Sequence, residues 1–209
     1  MKNDKAIWNH NYAYYRWVLK KVGQRKRILD VGCGDGALCV FLRTNDNDIL
    51  GIDSSASSIE KAKRNNVYNN VAFSQTTFED FPANGKRFDA VIFVASIHHM
   101  DMADAIDKSK QLLADNGILV IVGTAAPSDL LDWIIEAARI IPSKIISLIK
   151  RNTTSEEMDI KVSYDFPAMK KVRQICGDKL CGYTLRYGLH YRYLLTWENN
   201  RTDLSDGMR

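Results

Sequence analysis

Two glycines and an acid fall at spacings that could hold a small ligand. Gly32 and Gly34 lie in Asp30-Val31-Gly32-Cys33-Gly34-Asp35-Gly36, directly after a short apolar run. Asp53 follows about twenty residues beyond the first glycine, the separation of a nucleotide-binding βαβ unit. Glycines after a strand let the backbone approach a ligand, and amides at the start of the following helix can face it. A carboxylate at the end of the second strand can accept from both hydroxyls of a ribose. Each part has a plainer explanation, a tight turn for the glycines and a helix cap for Asp53. Together and in order they point to a ligand. Gly32-x-Gly34-x-x-Ala37 also satisfies the relaxed dinucleotide fingerprint, so NAD stands as a rival on spacing alone.

His98 and His99 are the candidates for proton chemistry. They follow the apolar run Ala90 to Val94, and imidazole changes charge near neutral pH. The competing reading packs one of them under a sheet and makes the other a helix cap. His10, Asn11, Tyr12 and Tyr15 could fold over a bound ligand or pack against the sheet edge. His190 reads as structural.

Positioning these residues requires strands that end where the glycines and acids begin. Arg27 to Val31 is a short apolar strand stopped by Gly32, and Leu38 to Leu42 continues as a helix. Asp48 to Asp53 reads as the second strand and Ser55 to Asn65 as the next helix, capped by Ser54 or Ser55. Val71 to Ser74 and Ala90 to Val94 are further strands, and Ala103 to Leu113 is an amphipathic helix. Asn116-Gly117 is a turn into a strand over Ile118 to Val122. Apolar strands alternating with helices predict an α/β fold, a Rossmann-like doubly wound sheet that is mostly parallel and covered on both faces.

The chain ends differ from that pattern. A helix is predicted over Trp8 to Val22, and a long helical insertion over Pro127 to Asn152, kinked at Pro142. A helix over Pro167 to Cys176 precedes strands around Leu180 to Tyr187 and Tyr191 to Trp197. These two are close enough for a hairpin through Gly188, so seven strands are expected, with an antiparallel C-terminal edge. The whole of 1–209 reads as one domain, with 1–23 as a helical cap and 125–165 as an insertion or lid.

Bulk properties narrow the classes. An apolar share of 45% and a charged share of 26% are those of a soluble globular protein. The net charge of +4 is concentrated at Lys20, Lys21, Arg25, Lys26 and Arg27. That cluster is a solvated helix end or a patch for nucleic acid or anionic membrane, and the pI near 8.8 speaks against a dedicated nucleic-acid binder. No signal peptide is visible, and charges within Leu130 to Ile149 make it a poor membrane span, so no transmembrane segment is expected. Cys33, Cys39, Cys176 and Cys181 lack zinc spacing, so no metal and a cytoplasmic location are expected.

Ile28 to Gly36 resembles the first motif of class I S-adenosylmethionine-dependent methyltransferases. Gly51-Ile52-Asp53 resembles their second motif, and Phe78-Glu79-Asp80-Phe81-Pro82 the segment after their third strand. Phe88-Asp89-Ala90-Val91 and Leu112 to Leu119 resemble strands four and five with the helix and turn between them. Trp8-Asn9-His10-Asn11, Ser96 to Asp101 and Tyr191 to Trp197 are similar to small bacterial type-11 or type-12 methyltransferases. Those relatives carry further histidines where this chain has Ala13 and Tyr15.

The resemblance implies S-adenosyl-L-methionine as methyl donor. It puts Asp30 near the methionine ammonium, Gly32 and Gly34 along the methionyl and ribose portion, and Asp53 on the ribose hydroxyls. It lays Thr77 and Phe78 against the adenine, with Cys33, Ser54 and Val94 completing the contacts. Many relatives carry Asp where this chain has Thr77, and a hydroxyl accepts a hydrogen bond more weakly than a carboxylate. Affinity is then lower, or Glu79 or Asp80 supplies the contact.

The implied reaction is methyl transfer to oxygen or nitrogen of a small-molecule acceptor, with His98 or His99 as the base for a protonated acceptor. The chain has no Asn-Pro-Pro-Tyr or Asp-Pro-Pro-Tyr sequence after its fourth strand and no dedicated nucleic-acid module. A macromolecular acceptor and a non-catalytic cofactor-binding protein are the alternatives. Leu131, Ile134, Ile135, Ala138 and Ile141 would give the insertion one apolar face. If exposed, that face implies a hydrophobic acceptor or a membrane surface, the latter suited by Lys144, Lys150 and Arg151.

Overall fold

Ile28, Leu29, Asp30 and Val31 are all buried, as the central strand of a sheet covered on both faces requires. The computed structural model describes residues 11–83, 85, 87–125, 166–189 and 191–200. β1 (Arg27–Val31) pairs in parallel with β2 (Asp48–Asp53) on one side and β4 (Phe88–Val94) on the other. β3 (Val71–Gln75) continues the sheet beyond β2, and β5 (Leu113–Thr124) beyond β4, both in parallel. β7 (Arg192–Glu198) lies antiparallel to β5, and β6 (Thr184–Tyr187) antiparallel to β7. The order of the seven strands is β3-β2-β1-β4-β5-β7-β6. The chain leaves β1 toward β2 and returns on its other side at β4. The carboxyl ends of β1 and β4 therefore flank the switch point where ligands bind in such sheets.

Alternate residues of each strand feed two cores. Leu29, Val31, Val91, Phe93, Leu119 and Ile121 pack under α4 (Met102–Leu112) and α5 (Met169–Lys179). Ile28, Ala90, Ile92, Val120 and Val122 pack under α1 (Tyr12–Val22), α2 (Ala37–Leu42) and α3 (Ala56–Asn65). This two-sided burial is why the strands read as unbroken apolar runs.

Some expected boundaries move. Ser55 caps α3, its hydroxyl accepting from the Ser58 amide at 3.3 Å. The expected turn at Asn116-Gly117 lies inside β5, where the register against β4 shifts between Phe88 and Ala90. Asn116 has φ +60° there, a left-handed conformation that asparagine tolerates, so the strand bulges instead of ending. The expected strand from Leu180 starts only at Thr184, after Gly182 turns the chain at φ +70°.

The basic cluster lies at the amino ends of the strands. Arg25 donates to the Val22 and Lys21 carbonyls at the end of α1 and pairs with Glu198 at 3.2 Å. Arg27 pairs with Asp89 at 3.0 Å. Among the described residues, no helix is long and apolar enough to cross a membrane. Trp8, His10, His190 and the insertion from Leu130 to Ile149, with Lys144, Lys150 and Arg151, lie outside the described residues.

Candidate functional site

The glycine loop is bound to the end of β2. The Gly32 and Cys33 amides both donate to the Ile52 carbonyl, at 2.8 and 3.0 Å. The Gly34 amide donates to Asp53 Oδ2 at 2.9 Å, and Asp53 Oδ1 accepts from the Ser55 amide at 2.8 Å. Asp53 therefore joins loop and helix start, while each oxygen retains a free lone pair. Gly32 has φ +73°, and a Cβ there would fall 2.3 Å from Ser96 Cβ. Ser96 is itself fixed, its buried hydroxyl donating to the Val31 carbonyl at 2.5 Å. Gly34, at φ +56°, has none of the described residues within 4 Å of where its Cβ would be, so among them this part of the loop opens on free space.

Asp30 points to the α2 side and is 1% exposed. Burial pushes its carboxyl up to about 7; the Cys39 thiol, donating at 3.2 Å, opposes that shift, and Asp53 adds to it. No lysine or arginine pairs with it among the described residues. Tyr15 covers this region from α1, its ring 5.5 Å from Phe41 and 4.6 Å from Tyr12. Burial and the nearby Asp30 raise the Tyr15 hydroxyl far above its ordinary range.

The other residues expected at the cofactor divide into two groups. Ser54 is exposed just beyond β2, and Val94 is half-buried at the end of β4, both at the carboxyl edge. Cys33 is buried within the loop. Thr77 closes its own turn, donating to Asp80 Oδ2 at 2.9 Å and accepting from the Asp80 amide at 3.1 Å. Phe78 is 4% exposed and meets Phe93 edge-on at 5.2 Å, inside the core beneath α4. The structure thus gathers Gly32, Cys33, Gly34, Asp53 and Ser54 at one junction and buries the Phe78 ring in the core.

Beyond β4, a single turn of 3₁₀ helix (Ile97–His99) carries both histidines. Their rings stand 4.1 Å apart. His99 is exposed; His98 is half-buried, 5.3 Å from the Phe166 ring, with Nδ1 buried and without a hydrogen-bond partner among the described residues. Burial pulls the His98 pKa down to about 4, aided by His99 and Arg192. Neither histidine caps α4. Asp101 does, accepting from the Ala103 and Asp104 amides at 2.8 and 3.0 Å.

Arg192 opens β7 opposite Thr124, the last residue of β5. Its guanidinium donates to Thr124 Oγ1, and to Asn11 Oδ1 at 3.0 Å. Sequence reasoning gives no role to Arg192, Thr124, Ser96 or Cys39. The available signal for Arg192 is an arginine at the start of an otherwise apolar strand.

A sequence profile of a methyltransferase domain matches residues 23–177, from the loop before β1 into α5. The chain belongs to this methyltransferase family. It is 33% identical over 98 residues to the ubiquinone biosynthesis O-methyltransferase of Mesorhizobium japonicum, a stretch covering 46% of this chain and 39% of that protein. The enzyme of the same name from Haemophilus ducreyi is 32% identical over 104 residues, covering 46% and 44%. The chain thus matches less than half the length of these relatives. Among solved structures, the N-methyltransferase NodS of Bradyrhizobium japonicum with S-adenosyl-L-homocysteine superposes with a TM-score of 0.60 at 16% identity, covering 94% of this chain and 89% of that one. An S-adenosylmethionine-dependent methyltransferase from Mesorhizobium loti gives 0.60 at 14% identity, over 90% and 97%. The sheet is the Rossmann-like class I methyltransferase fold.

The family implies S-adenosylmethionine, and the residues present fit it. Gly34 leaves an open face beside the Asp53 carboxylate, as a ribose needs. Asp30 is a buried carboxyl that no described cation neutralises, which suits an ammonium group.

Proposed function

We propose that this chain binds S-adenosylmethionine and methylates oxygen or nitrogen of a small molecule. The observation that carries the reading is the Gly34–Asp53 junction at the switch point of a methyltransferase-family sheet. In this reading Asp53 accepts from the ribose, Asp30 faces the ammonium, and Gly32, Cys33, Gly34, Ser54 and Val94 line the cofactor. Thr77 keeps one free lone pair for the adenine edge, so adenine is held weakly there. Family membership favours S-adenosylmethionine over NAD. The named relatives act as O- and N-methyltransferases, which supports a small-molecule acceptor. We extend the proposal to one domain over the whole chain, with residues 1–23 belonging to it. A cytoplasmic setting is supported by four free cysteines, three of them buried.

S-adenosylmethionine supplies an activated methyl group, whose carbon–sulfur bond breaks toward sulfur as an acceptor lone pair bonds to carbon. The protein's share is to align the acceptor, exclude water and take its proton. His98 is neutral above about pH 5, so a ring nitrogen is free to accept. A base with so low a pKa suits an acidic hydroxyl better than an aliphatic alcohol.

Calorimetry with S-adenosylhomocysteine and with NAD tests the cofactor. S-adenosylhomocysteine should bind and NAD should not; preferential NAD binding overturns the reading. Asp53→Ala should weaken S-adenosylhomocysteine binding by about tenfold or more, for two lost hydrogen bonds to a charged group. Full turnover by both His98→Ala and His99→Ala, on an acceptor found with isotope-labelled methyl donor, would remove the histidines from the chemistry.

A further inference from the structure

Arg192 has a feature that its hydrogen bonds do not explain. It is partly buried, and among the described residues no carboxylate pairs with it: its partners are the neutral oxygens of Thr124 and Asn11. A desolvated guanidinium is costly unless a negative charge compensates it. Burial already pulls its pKa below the ordinary value. Among the described residues two of its five N–H donors are used, which leaves three.

Its location indicates which anion is meant. Strand order places β7 three strands from β1, about 14 Å across the sheet from the glycine loop. The 3₁₀ turn after β4 lies between them, and Arg192 is near enough for its charge to act on His98. His98, His99 and Phe166 set three rings together at that turn. Arg192 thus sets a positive charge near an aromatic wall in which the His98 ring is neutral at physiological pH. A planar guanidinium fork matches a carboxylate.

We propose that Arg192 is the anchor for an aromatic carboxylate acceptor, held with its ring against His98 and Phe166. The inference rests on the methyltransferase reading above and specifies its substrate class. Thr124 and Asn11 are positioning residues, which hold the guanidinium in place.

The test uses benzoate and its uncharged isostere benzamide as probes, titrated by NMR into the full chain in the presence of S-adenosylhomocysteine. Wild type should bind benzoate about tenfold more tightly than benzamide, the scale of one charge-assisted hydrogen-bonded contact. Arg192→Gln should lose that preference and keep S-adenosylhomocysteine binding, and Arg192→Lys should recover it in part. In wild type, benzoate should also raise the His98 pKa, because it neutralises the charge acting on that ring. This readout does not depend on any variant folding. Equal affinity for the two probes, no binding of either, or an unchanged preference in a folded Arg192→Gln overturns the proposal. Loss of S-adenosylhomocysteine binding in that variant would reassign the guanidinium to the cofactor's own carboxylate and overturn it as well. If wild type itself fails to bind S-adenosylhomocysteine, the function proposed above falls first and this inference with it.

Discussion

Gly32 and Gly34 share a left-handed backbone, yet alanine should act differently at the two positions. At Gly32 the new Cβ would collide with fixed Ser96, 2.3 Å away. Strained backbone and overpacking together should cost about 2–5 kcal/mol of stability. Gly34→Ala meets no atom of the described residues and should cost only about 1–2 kcal/mol. Its methyl would occupy the open face instead, weakening S-adenosylhomocysteine binding by about 10–100-fold. Urea unfolding and calorimetry on both variants separate the two effects. Asp30 gives a pH prediction. Its folded pKa of about 7 exceeds the unfolded value near 3.9. The stability it contributes is therefore complete below about pH 4 and is lost as pH rises through 7. The stability of wild type relative to Asp30→Asn should fall across that window, read from urea midpoints at several pH values. A constant difference would mean that Asp30 ionises normally.

At the scale of elements, the β5–β7 ladder connects the core to the carboxyl edge. Gly123 sits opposite Tyr193, and a Cβ there would come within 2.2 Å of the Tyr193 ring. Tyr193 is 1% exposed and lies among α4 and α5 side chains, so it cannot yield outward. Gly123→Ala should destabilise the protein by about 1–3 kcal/mol or more. Because Thr124 and Arg192 are the next pair in register, the disturbance should also shift the NMR signals of their side chains. The strands and helices themselves were largely legible in the sequence. Near-continuous apolar runs marked β1, β2, β4 and β5, and the Ser54-Ser55 pair marked the start of α3. The bulge in β5 was not, because Asn116-Gly117 has the residue types of a turn and only pairing with β4 keeps that segment in the sheet.

Across the whole molecule, charge and site occupy opposite ends of the sheet. Lys20 and Lys21 border a cleft with Ile118 and Glu198 at the amino ends of the strands. The five residues of β1 alone span about 16 Å, beyond the Debye length of roughly 8–10 Å at ordinary salt. Lys20→Glu with Lys21→Glu should therefore leave S-adenosylhomocysteine affinity unchanged in calorimetry at 0.15 M salt. A large loss would show that the cluster acts on the site through space or through α1.

The sequence by itself determined the α/β class, the carboxyl ends of β1 and β2, and the glycine loop with Asp53 about twenty residues beyond it. These depend on burial period, turn chemistry and a short βαβ spacing, all expressed within a few tens of residues. Tertiary structure alone decided what surrounds them. It set Ser96 against Gly32, buried Asp30 with Cys39, turned Phe78 into the core, and lowered the His98 pKa by enclosing its ring. It also brought Arg192 to Thr124 and Asn11, residues 68 and 181 positions away in the chain. No local periodicity links positions so far apart. Their meeting follows from strand order and from the antiparallel return of β7, which exist only once the sheet has closed.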